Sequence, residues 1–163
     1  MEFFIRDARP EDCGAVCELV RELADYEKLS DECHATEEKL RAELFGAKPV
    51  IGCLLGWERD EGGEKPVAMA LYFYNFSTFE MHRGIYLEDL FVKDGHRSRG
   101  YGSRLIRALA AKAVKEGCPR FDWQVLDWNK PAIDFYKSLG AKVRGEWLTC
   151  RLEGESLRRA ASR

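Results

Sequence analysis

The sequence predicts one domain that mixes α-helices with β-strands. Its 163 residues fit the usual length of a single domain, and 45 % of them are hydrophobic, enough to build a core without disulfides or metals. Segments with strand patterns and segments with helix patterns follow one another along the chain. The chain has no internal repeat and no linker, so the predicted fold class is α/β.

The N-terminal third predicts a strand followed by two helices. Residues 3–8 have the pattern of a short strand. Asp12 is a suitable N-cap for a helix that runs to Tyr26, with apolar residues at helical spacing. A second, short helix over residues 36–44 is closed by Gly46.

The middle of the chain predicts three strands. Residues 49–57 and 67–76 have strand patterns, and the charged, glycine-rich segment 59–66 between them predicts a hairpin loop. Residues 84–92 predict a third strand, which is apolar apart from a pair of carboxylates at its centre.

The C-terminal part predicts a polar loop, a helix and the rest of the sheet. The loop covers residues 93–102 and the helix ends near Glu116. The next strand is predicted over residues 121–126 and a short helix over residues 131–139. Two closing strands are predicted over residues 141–143 and 147–152. We therefore expect a domain at residues 1–152 and a charged, frayed tail at residues 153–163.

Charge and composition exclude several classes of protein. The 26 basic and 28 acidic residues give a net charge of −2, which argues against a nucleic-acid partner. No apolar run approaches the ~18 residues of a membrane-spanning helix, so no membrane partner is expected. The six cysteines have no spacing typical of zinc sites and the N-terminus has no export signal, so we expect no metal and a cytoplasmic location.

The most informative segment is the loop that precedes the predicted helix at residue 101. Gly100 and Gly102 would let the backbone approach an anion closely, and a helix N-terminus favours negative charge. Arg97, Arg99 and Arg104 add positive charge, so the segment suits a pyrophosphate. The spacing fits neither a Walker loop nor a dinucleotide fingerprint. An ordinary glycine turn with solvated arginines is the structural alternative.

The motif Arg97-x-x-Gly100-x-Gly102 resembles the acetyl-CoA pyrophosphate signature of the Gcn5-related N-acetyltransferase superfamily. More specifically, the chain is similar to the diamine (spermidine/spermine) and thialysine acetyltransferases. The blocks that carry this similarity are Tyr86-Leu87-Glu88-Asp89-Leu90-Phe91-Val92, Leu126-Asp127-Trp128-Asn129 and Phe135-Tyr136-x-x-Leu139-Gly140-Ala141. The resemblance implies a mixed, mostly antiparallel, splayed sheet with helices on both faces, and acetyl-CoA as co-substrate.

Two residues are the candidates for catalysis. Glu88 lies inside an apolar strand, where an unpaired carboxylate is costly, and we expect it to bind and deprotonate the amine. A structural ion pair is its alternative. Asp89 points to the opposite face of a regular strand, which favours a structural role. Tyr136 matches the family tyrosine that protonates the departing thiolate, and a core aromatic is its alternative.

Further residues are assigned to binding by the resemblance. Those implied for acetyl-CoA are Leu90, Phe91, Val92, Arg97, Ser98, Arg99, Gly100, Tyr101, Gly102, Ser103 and Asn129. Asn129 could instead, or in addition, cap the following helix. Those implied for the amine, beside Glu88, are Tyr26, Glu27, Asp122, Trp123 and Gln124. An acidic and aromatic lining suits a cation, although residues 25–28 could equally be a solvated helix end.

The function expected from the resemblance is transfer of an acetyl group from acetyl-CoA to a small primary amine. The block at Leu126 favours a thialysine- or lysine-like acceptor, and a di- or polyamine is the alternative. Between Ala141 and Trp147 the chain is a few residues shorter than the polyamine enzymes that it resembles, which leaves the role of Glu146 open. A protein lysine acetyltransferase and a non-catalytic acetyl-CoA sensor are weaker hypotheses. The family often forms homodimers, so a second copy is an expected partner.

Overall fold

The computed structural model describes residues 1–162. It consists of two compact units, one spanning Met1–Gln124 and one that begins at Val125. In this part of the chain, all strands belong to the first unit.

The first unit contains five strands and three helices in the predicted order. The strands are β1 (Glu2–Asp7), β2 (Ile51–Asp60), β3 (Gly63–Ser77), β4 (His82–Val92) and β5 (Phe121–Trp123). The helices are α1 (Cys13–Tyr26), α2 (Glu37–Phe45) and α3 (Tyr101–Lys115). Thr36 caps α2 as its sequence predicts, because its hydroxyl accepts a hydrogen bond from the Lys39 N–H at 3.2 Å.

The strands form one open sheet in the order β1-β2-β3-β4-β5. The first three pairings are antiparallel and β4–β5 is parallel, which confirms the expected mixed, mostly antiparallel sheet. The predicted hairpin is confirmed, but the predicted loop at 59–66 is too long, since β2 and β3 extend through it and leave only a two-residue turn. A 2.6 Å ion pair between Arg59 and Glu64 joins the two strands there, so charged residues continue the ladder.

Helices cover both faces of the sheet, as predicted. The apolar stripe of α1 packs on one face in a core cluster with Leu71 and Phe91. Successive strand residues point to opposite faces, and Tyr72 lies 5.8 Å from the Lys112 ammonium of α3. Helix α3 therefore covers the other face, where Tyr101 stacks on Phe3 with ring centroids 3.8 Å apart.

A β-bulge interrupts β4 at its carboxylate pair. On β3, Leu71 pairs with Asp89 and the next residue, Tyr72, pairs with Leu87, which leaves Glu88 without a partner residue. A bulge breaks the strict alternation of side chains between the two faces. The regular strand assumed in the prediction for Asp89 is therefore interrupted at this position, and its structural role stays a prediction.

The second unit contains α4 (Lys130–Ser138) and α5 (Gly154–Ala161). Helix α4 lies where the sequence predicts it, with Pro131 in its first turn. The predicted strands at 141–143 and 147–152 are wrong, because neither segment forms a strand. The expected frayed tail contains α5, and its last residue, Arg163, lies outside the described residues. No helix within residues 1–162 combines the length and apolar character that crossing a bilayer requires.

Candidate active site

The segment between β4 and α3 is called the phosphate loop here and covers residues 93–100. Three of its residues adopt left-handed backbone conformations, with φ of 76° at Gly95, 62° at Ser98 and 77° at Gly100. Gly100 is the N-cap of α3, and the first turn of that helix contains no acidic residue. The first N–H groups of a helix have no partner within it, so this end of α3 can accept an anion.

Arg97 connects the phosphate loop, to which it belongs, with the end of α1. Its Nε donates a hydrogen bond to the Val92 carbonyl at 3.1 Å. Its guanidinium carbon lies 4.1 Å from the centroid of the Tyr26 ring and 5.8 Å from that of Phe91. The loop arginine and a residue predicted for the amine site are therefore in direct contact, through a cation–π interaction.

The other two arginines of this region have partners within the protein. Arg104 donates to the Phe3 carbonyl at 2.8 Å, with its guanidinium carbon 4.5 Å from the centroid of the Phe3 ring. Arg99 donates to Glu58 of β2 and to the Gly95 carbonyl, each at 3.1 Å. Both arginines are nevertheless exposed, so the alternative of solvated arginines holds in part.

The C-terminal half of β4 has an open edge. Strand β5 pairs only with Ile85, Tyr86 and Leu87, so in the described chain residues 88–92 have a strand partner on the β3 side alone. Leu90, Phe91 and Val92 belong to this half, as the resemblance implies for a strand that presents its backbone to a substrate. Gly102 faces it, since a Cβ built on that glycine would lie 3.7 Å from Leu90 and 3.9 Å from Val92.

Glu88 and Asp89 form an acidic pair on β4. Glu88 is exposed and makes no salt bridge with any residue of 1–162, so its alternative as a structural ion pair is wrong. Asp89 is half-buried. Burial, and then the charges of Glu88 and Glu27, raise the pKa of its carboxyl from 3.8 to about 6. Glu88 and Glu27 therefore both lie close enough to Asp89 for their charges to act on it, and such a group of carboxylates favours a cation.

The other residues predicted for the amine have mixed surroundings. Tyr26 and Glu27, at the end of α1, lie beside Arg97 and Asp89 respectively. Asp122 accepts hydrogen bonds from Asn75 at 2.9 Å and forms a 3.0 Å ion pair with Arg120, so its charge is already paired. The Trp123 ring lies 4.8 Å from that of Phe121, and Gln124 is exposed at the end of β5.

The remaining two candidates lie on the second unit. Asn129 caps α4, where its side-chain oxygen accepts the Ala132 N–H at 3.3 Å, so the capping role is confirmed and a role in cofactor binding stays a prediction. Tyr136 is half-buried on α4, with its ring centroid 5.4 Å from that of Phe135. Burial raises the pKa of the Tyr136 phenol, so the group stays protonated near neutral pH.

Sequence reasoning missed the electrostatic coupling of Asp89 to Glu88 and Glu27. A structural role was predicted for Asp89 on the assumption of a regular strand, and nothing in the sequence marks the bulge at this position. The burial of Glu58 behind the phosphate loop was missed for a similar reason, since the segment around it resembled an exposed hairpin.

Comparison with known proteins identifies the family. The profile of the acetyltransferase (GNAT) family matches residues 16–141. The chain belongs to the GNAT acetyltransferase family. It is 43 % identical over 166 aligned positions to a thialysine N-epsilon-acetyltransferase from Sus scrofa, with 98 % of this chain and 97 % of the relative covered. It is 31 % identical to an L-ornithine N5-acetyltransferase from Arabidopsis thaliana, over 94 % of this chain and 85 % of that protein.

Solved structures agree with this family assignment. An integron cassette protein from the mobile metagenome of Vibrio cholerae superposes with a TM-score of 0.82 at 29 % identity, over 100 % of this chain and 99 % of that one. An aminoglycoside acetyltransferase from a soil metagenome shares the fold, with a TM-score of 0.76, 18 % identity and coverage of 93 % and 97 %. This GNAT protein is therefore an N-acetyltransferase, which transfers an acetyl group to an amine.

Proposed function

We propose that this enzyme transfers the acetyl group of acetyl-CoA to the primary amine of a small cationic substrate, most favourably a thialysine- or lysine-like amino acid. The observation that carries the proposal is the acidic end of β4. Glu88 is exposed, Asp89 beside it is half-buried, and the charge of Glu27 also acts on Asp89. This group of carboxylates favours a positively charged acceptor. The 42–43 % identity to three thialysine acetyltransferases supports the choice of acceptor.

The phosphate loop fits the pyrophosphate of acetyl-CoA. Its backbone enters α3 through left-handed Gly100, and no acidic side chain stands in the first turn of that helix to repel an anion. Residues 101–103 carry the helix N–H groups that would bind the phosphates, together with Arg97 and Ser98. Acetyl-CoA supplies a thioester carbonyl, which an amine can attack directly.

The acceptor must lose a proton before it can react. A lysine-like ammonium with a pKa of about 10.4 is only roughly 0.1 % neutral at pH 7.4. Glu88 holds the ammonium and accepts its proton, through a water molecule where the distance requires one. The amine nitrogen then forms a bond to the thioester carbon.

The carbonyl and the leaving group need their own partners. Within Leu90, Phe91 and Val92, the backbone N–H groups of the alternate residues that point to the open edge of β4 stabilise the negative charge that develops on the carbonyl oxygen. The carbon–sulfur bond then breaks, and Tyr136 gives its phenolic proton to the CoA thiolate. The raised pKa of Tyr136 keeps that proton in place until it is needed. The proton that the new amide nitrogen must lose passes through water to the Tyr136 phenolate and restores the phenol.

The same acidic surface also suits a diamine. The 31 % identity to an L-ornithine acetyltransferase favours amino acids with a terminal amine, and a di- or polyamine is the second candidate. A lysine in a peptide would be the acceptor if the enzyme modified proteins, and no turnover at all would indicate a sensor of acetyl-CoA.

The proposal is tested by thiol release from acetyl-CoA with thialysine, lysine, ornithine, putrescine, spermidine, spermine and a lysine peptide. We expect turnover with the free amino acids. Glu88→Gln should reduce kcat/KM by about 10²- to 10⁴-fold, whereas Glu61→Gln, in the exposed β2–β3 turn, should leave it unchanged. Tyr136→Phe keeps the ring and should lower kcat. Full turnover in either variant would contradict its role, and turnover with the peptide alone would contradict the substrate class.

Assembly and location are part of the same proposal. The chain acts as one catalytic domain over residues 1–152, and it pairs as a homodimer through its C-terminal segment. Trp147 and Leu148, 76 % and 87 % exposed, support such pairing. The six cysteines are all free thiols, which suits a cytoplasmic enzyme that uses no metal. Light scattering of the full chain tests the dimer, which a monomer at assay concentrations would contradict.

A further inference from the structure

The phosphate loop is tied to a buried carboxylate on the neighbouring strand. Glu58, on β2, is 0 % exposed. Its Oε1 accepts three hydrogen bonds, from His96 Nδ1 at 2.9 Å, from Arg99 at 3.1 Å and from the Tyr101 hydroxyl at 2.8 Å. All three donors belong to the phosphate loop or the first residue of α3. The fourth partner, Lys65, lies 3.9 Å from Oε2 on the adjacent strand.

Glu58 is ionised in this setting. Burial by itself would raise the pKa of its carboxyl, but hydrogen bonds from His96 and Tyr101 and the nearby charges of His96 and Arg99 outweigh it and hold that pKa below its usual range. Oε2 makes no hydrogen bond in residues 1–162, so the carboxylate depends on the partners of Oε1. A buried charge that loses its partners is strongly destabilising, so the loop is held against this group.

The loop needs such a restraint because of its backbone. Ser98 has a left-handed φ of 62°, which costs free energy for a residue with a Cβ and persists only where surrounding contacts enforce it. Arg99 is the next residue, and both terminal nitrogens of its guanidinium are held: Nη1 donates to Glu58 and Nη2 to the Gly95 carbonyl. On the other side, the stacking of Tyr101 on Phe3 anchors the start of α3.

We propose that Glu58 is a positioning residue for acetyl-CoA, and that Arg99 and Tyr101 act as the latch through which it holds the phosphate loop in its binding conformation. In this arrangement the Arg99 guanidinium forms its ion pair with Glu58 rather than with the pyrophosphate. Glu58 itself touches no substrate, because it is buried. The inference rests on the proposed acetyl-CoA site and adds to it the reason why the loop is already shaped before the cofactor arrives.

A double-mutant cycle measured by calorimetry with CoA tests the proposal. Glu58→Gln and Arg99→Gln should each weaken binding by about tenfold, the size of one charge-assisted hydrogen bond. The double variant should be no weaker than Glu58→Gln alone, since both changes break one contact. If Arg99 bound the pyrophosphate directly, its substitution would cost the same in both backgrounds, and this additivity would overturn the latch. Glu61→Gln, on the same hairpin, is the matched control.

Two further measurements separate positioning from general stability. Tyr101→Phe removes one hydroxyl and keeps the stacked ring, so it serves where Glu58→Gln fails to fold, and it should also weaken CoA binding several-fold. In steady state, Glu58→Gln should raise KM for acetyl-CoA. With acetyl-pantetheine, which lacks the pyrophosphate, the same variant should leave both kcat and KM unchanged. Equal effects on both donors, or unchanged CoA affinity in folded variants, would overturn the proposal. Absence of CoA binding by the unmodified enzyme would instead refute the acetyl-CoA site itself.

Discussion

Asp89→Asn should stabilise the protein at neutral pH. Asp89 is half-buried on β4, and burial followed by the charges of Glu88 and Glu27 raises its pKa from 3.8 to about 6. The ionised carboxylate is therefore disfavoured in the folded state. Asparagine has nearly the same shape and no charge, so the substitution removes the penalty and leaves the packing in place.

The size of the effect follows from the shift in pKa. The difference between 3.8 and about 6, at 1.36 kcal/mol for each unit of pKa, corresponds to about 3 kcal/mol. The folded state binds the Asp89 proton more tightly than the unfolded state does, so its stability falls as pH rises from about 4 to about 6. The gain from Asp89→Asn should be about 2–3 kcal/mol above pH 7 and close to zero below pH 4, where both states carry a neutral side chain.

Urea denaturation at pH 4 and pH 8 checks this expectation. The free energy of unfolding is compared for the unmodified protein, Asp89→Asn and the control Asp31→Asn, which changes an exposed aspartate without a salt bridge. Surface substitutions of this kind usually change stability by less than about 0.5 kcal/mol. The gain at pH 8 should also shrink when Glu88→Gln is already present, because one of the repelling charges is then absent.

A gain of equal size at both pH values would refute the electrostatic reasoning, since a packing effect does not depend on the proton. A loss at pH 8 would mean that the Asp89 carboxylate has a stabilising partner. In that case the Asp89 charge would already be compensated within the protein, and the acidic end of β4 would have no need of a cationic substrate. The proposed class of acceptor would then lose its main structural support.

Two other substitutions test the phosphate loop and the N-terminal packing. Gly102→Ala should leave the protein equally stable or stabilise it by up to about 1 kcal/mol, since the new Cβ would lie at an ordinary 3.7 Å from Leu90. The same substitution should weaken CoA binding, because the methyl group keeps the phosphates away from the backbone. Unchanged CoA affinity in calorimetry would contradict the proposed phosphate site. Asp12→Asn should destabilise the protein by about 3 kcal/mol at pH 7, because Arg6 holds the buried carboxylate at 2.6 Å and lowers its pKa. Since the native ion pair is lost as pH falls through that lowered pKa, the difference in unfolding free energy should shrink in acid, and a constant difference would exclude the ion pair as its cause.

Much of the first unit could be predicted from patterns that depend on neighbours in the sequence. The apolar spacing of α1, the hydroxyl cap at Thr36 and the glycines before α3 are local signals, and each element lies within a few residues of its expected place. The segments at 141–143 and 147–152 have strand composition, but a strand forms only where another strand offers its backbone. Composition cannot state whether such pairing occurs, and in the described chain neither segment pairs with a strand.

The candidate site shows the same division at the level of single residues. Glu88 could be identified because a carboxylate is conspicuous in an apolar strand. The partnership of Asp89 with it depends on one extra residue in the β4 ladder, and a bulge is set by how two strands pair rather than by either sequence alone. Strict alternation of side chains between the two faces of the strand cannot be assumed at this position.

Charge in the phosphate loop extends this argument to binding. The sequence offers three arginines beside the two glycines, and counting them predicts a strongly electrostatic cofactor site. In the folded chain Arg99 pairs with the Glu58 carboxylate, whereas the partners of Arg97 and Arg104 are carbonyl groups and aromatic rings. If the loop binds the pyrophosphate as we propose, the backbone N–H groups of α3 contribute to its affinity, and the proposed latch maintains their direction. We therefore expect the shape of the loop, and not only its number of cations, to decide how tightly it binds acetyl-CoA.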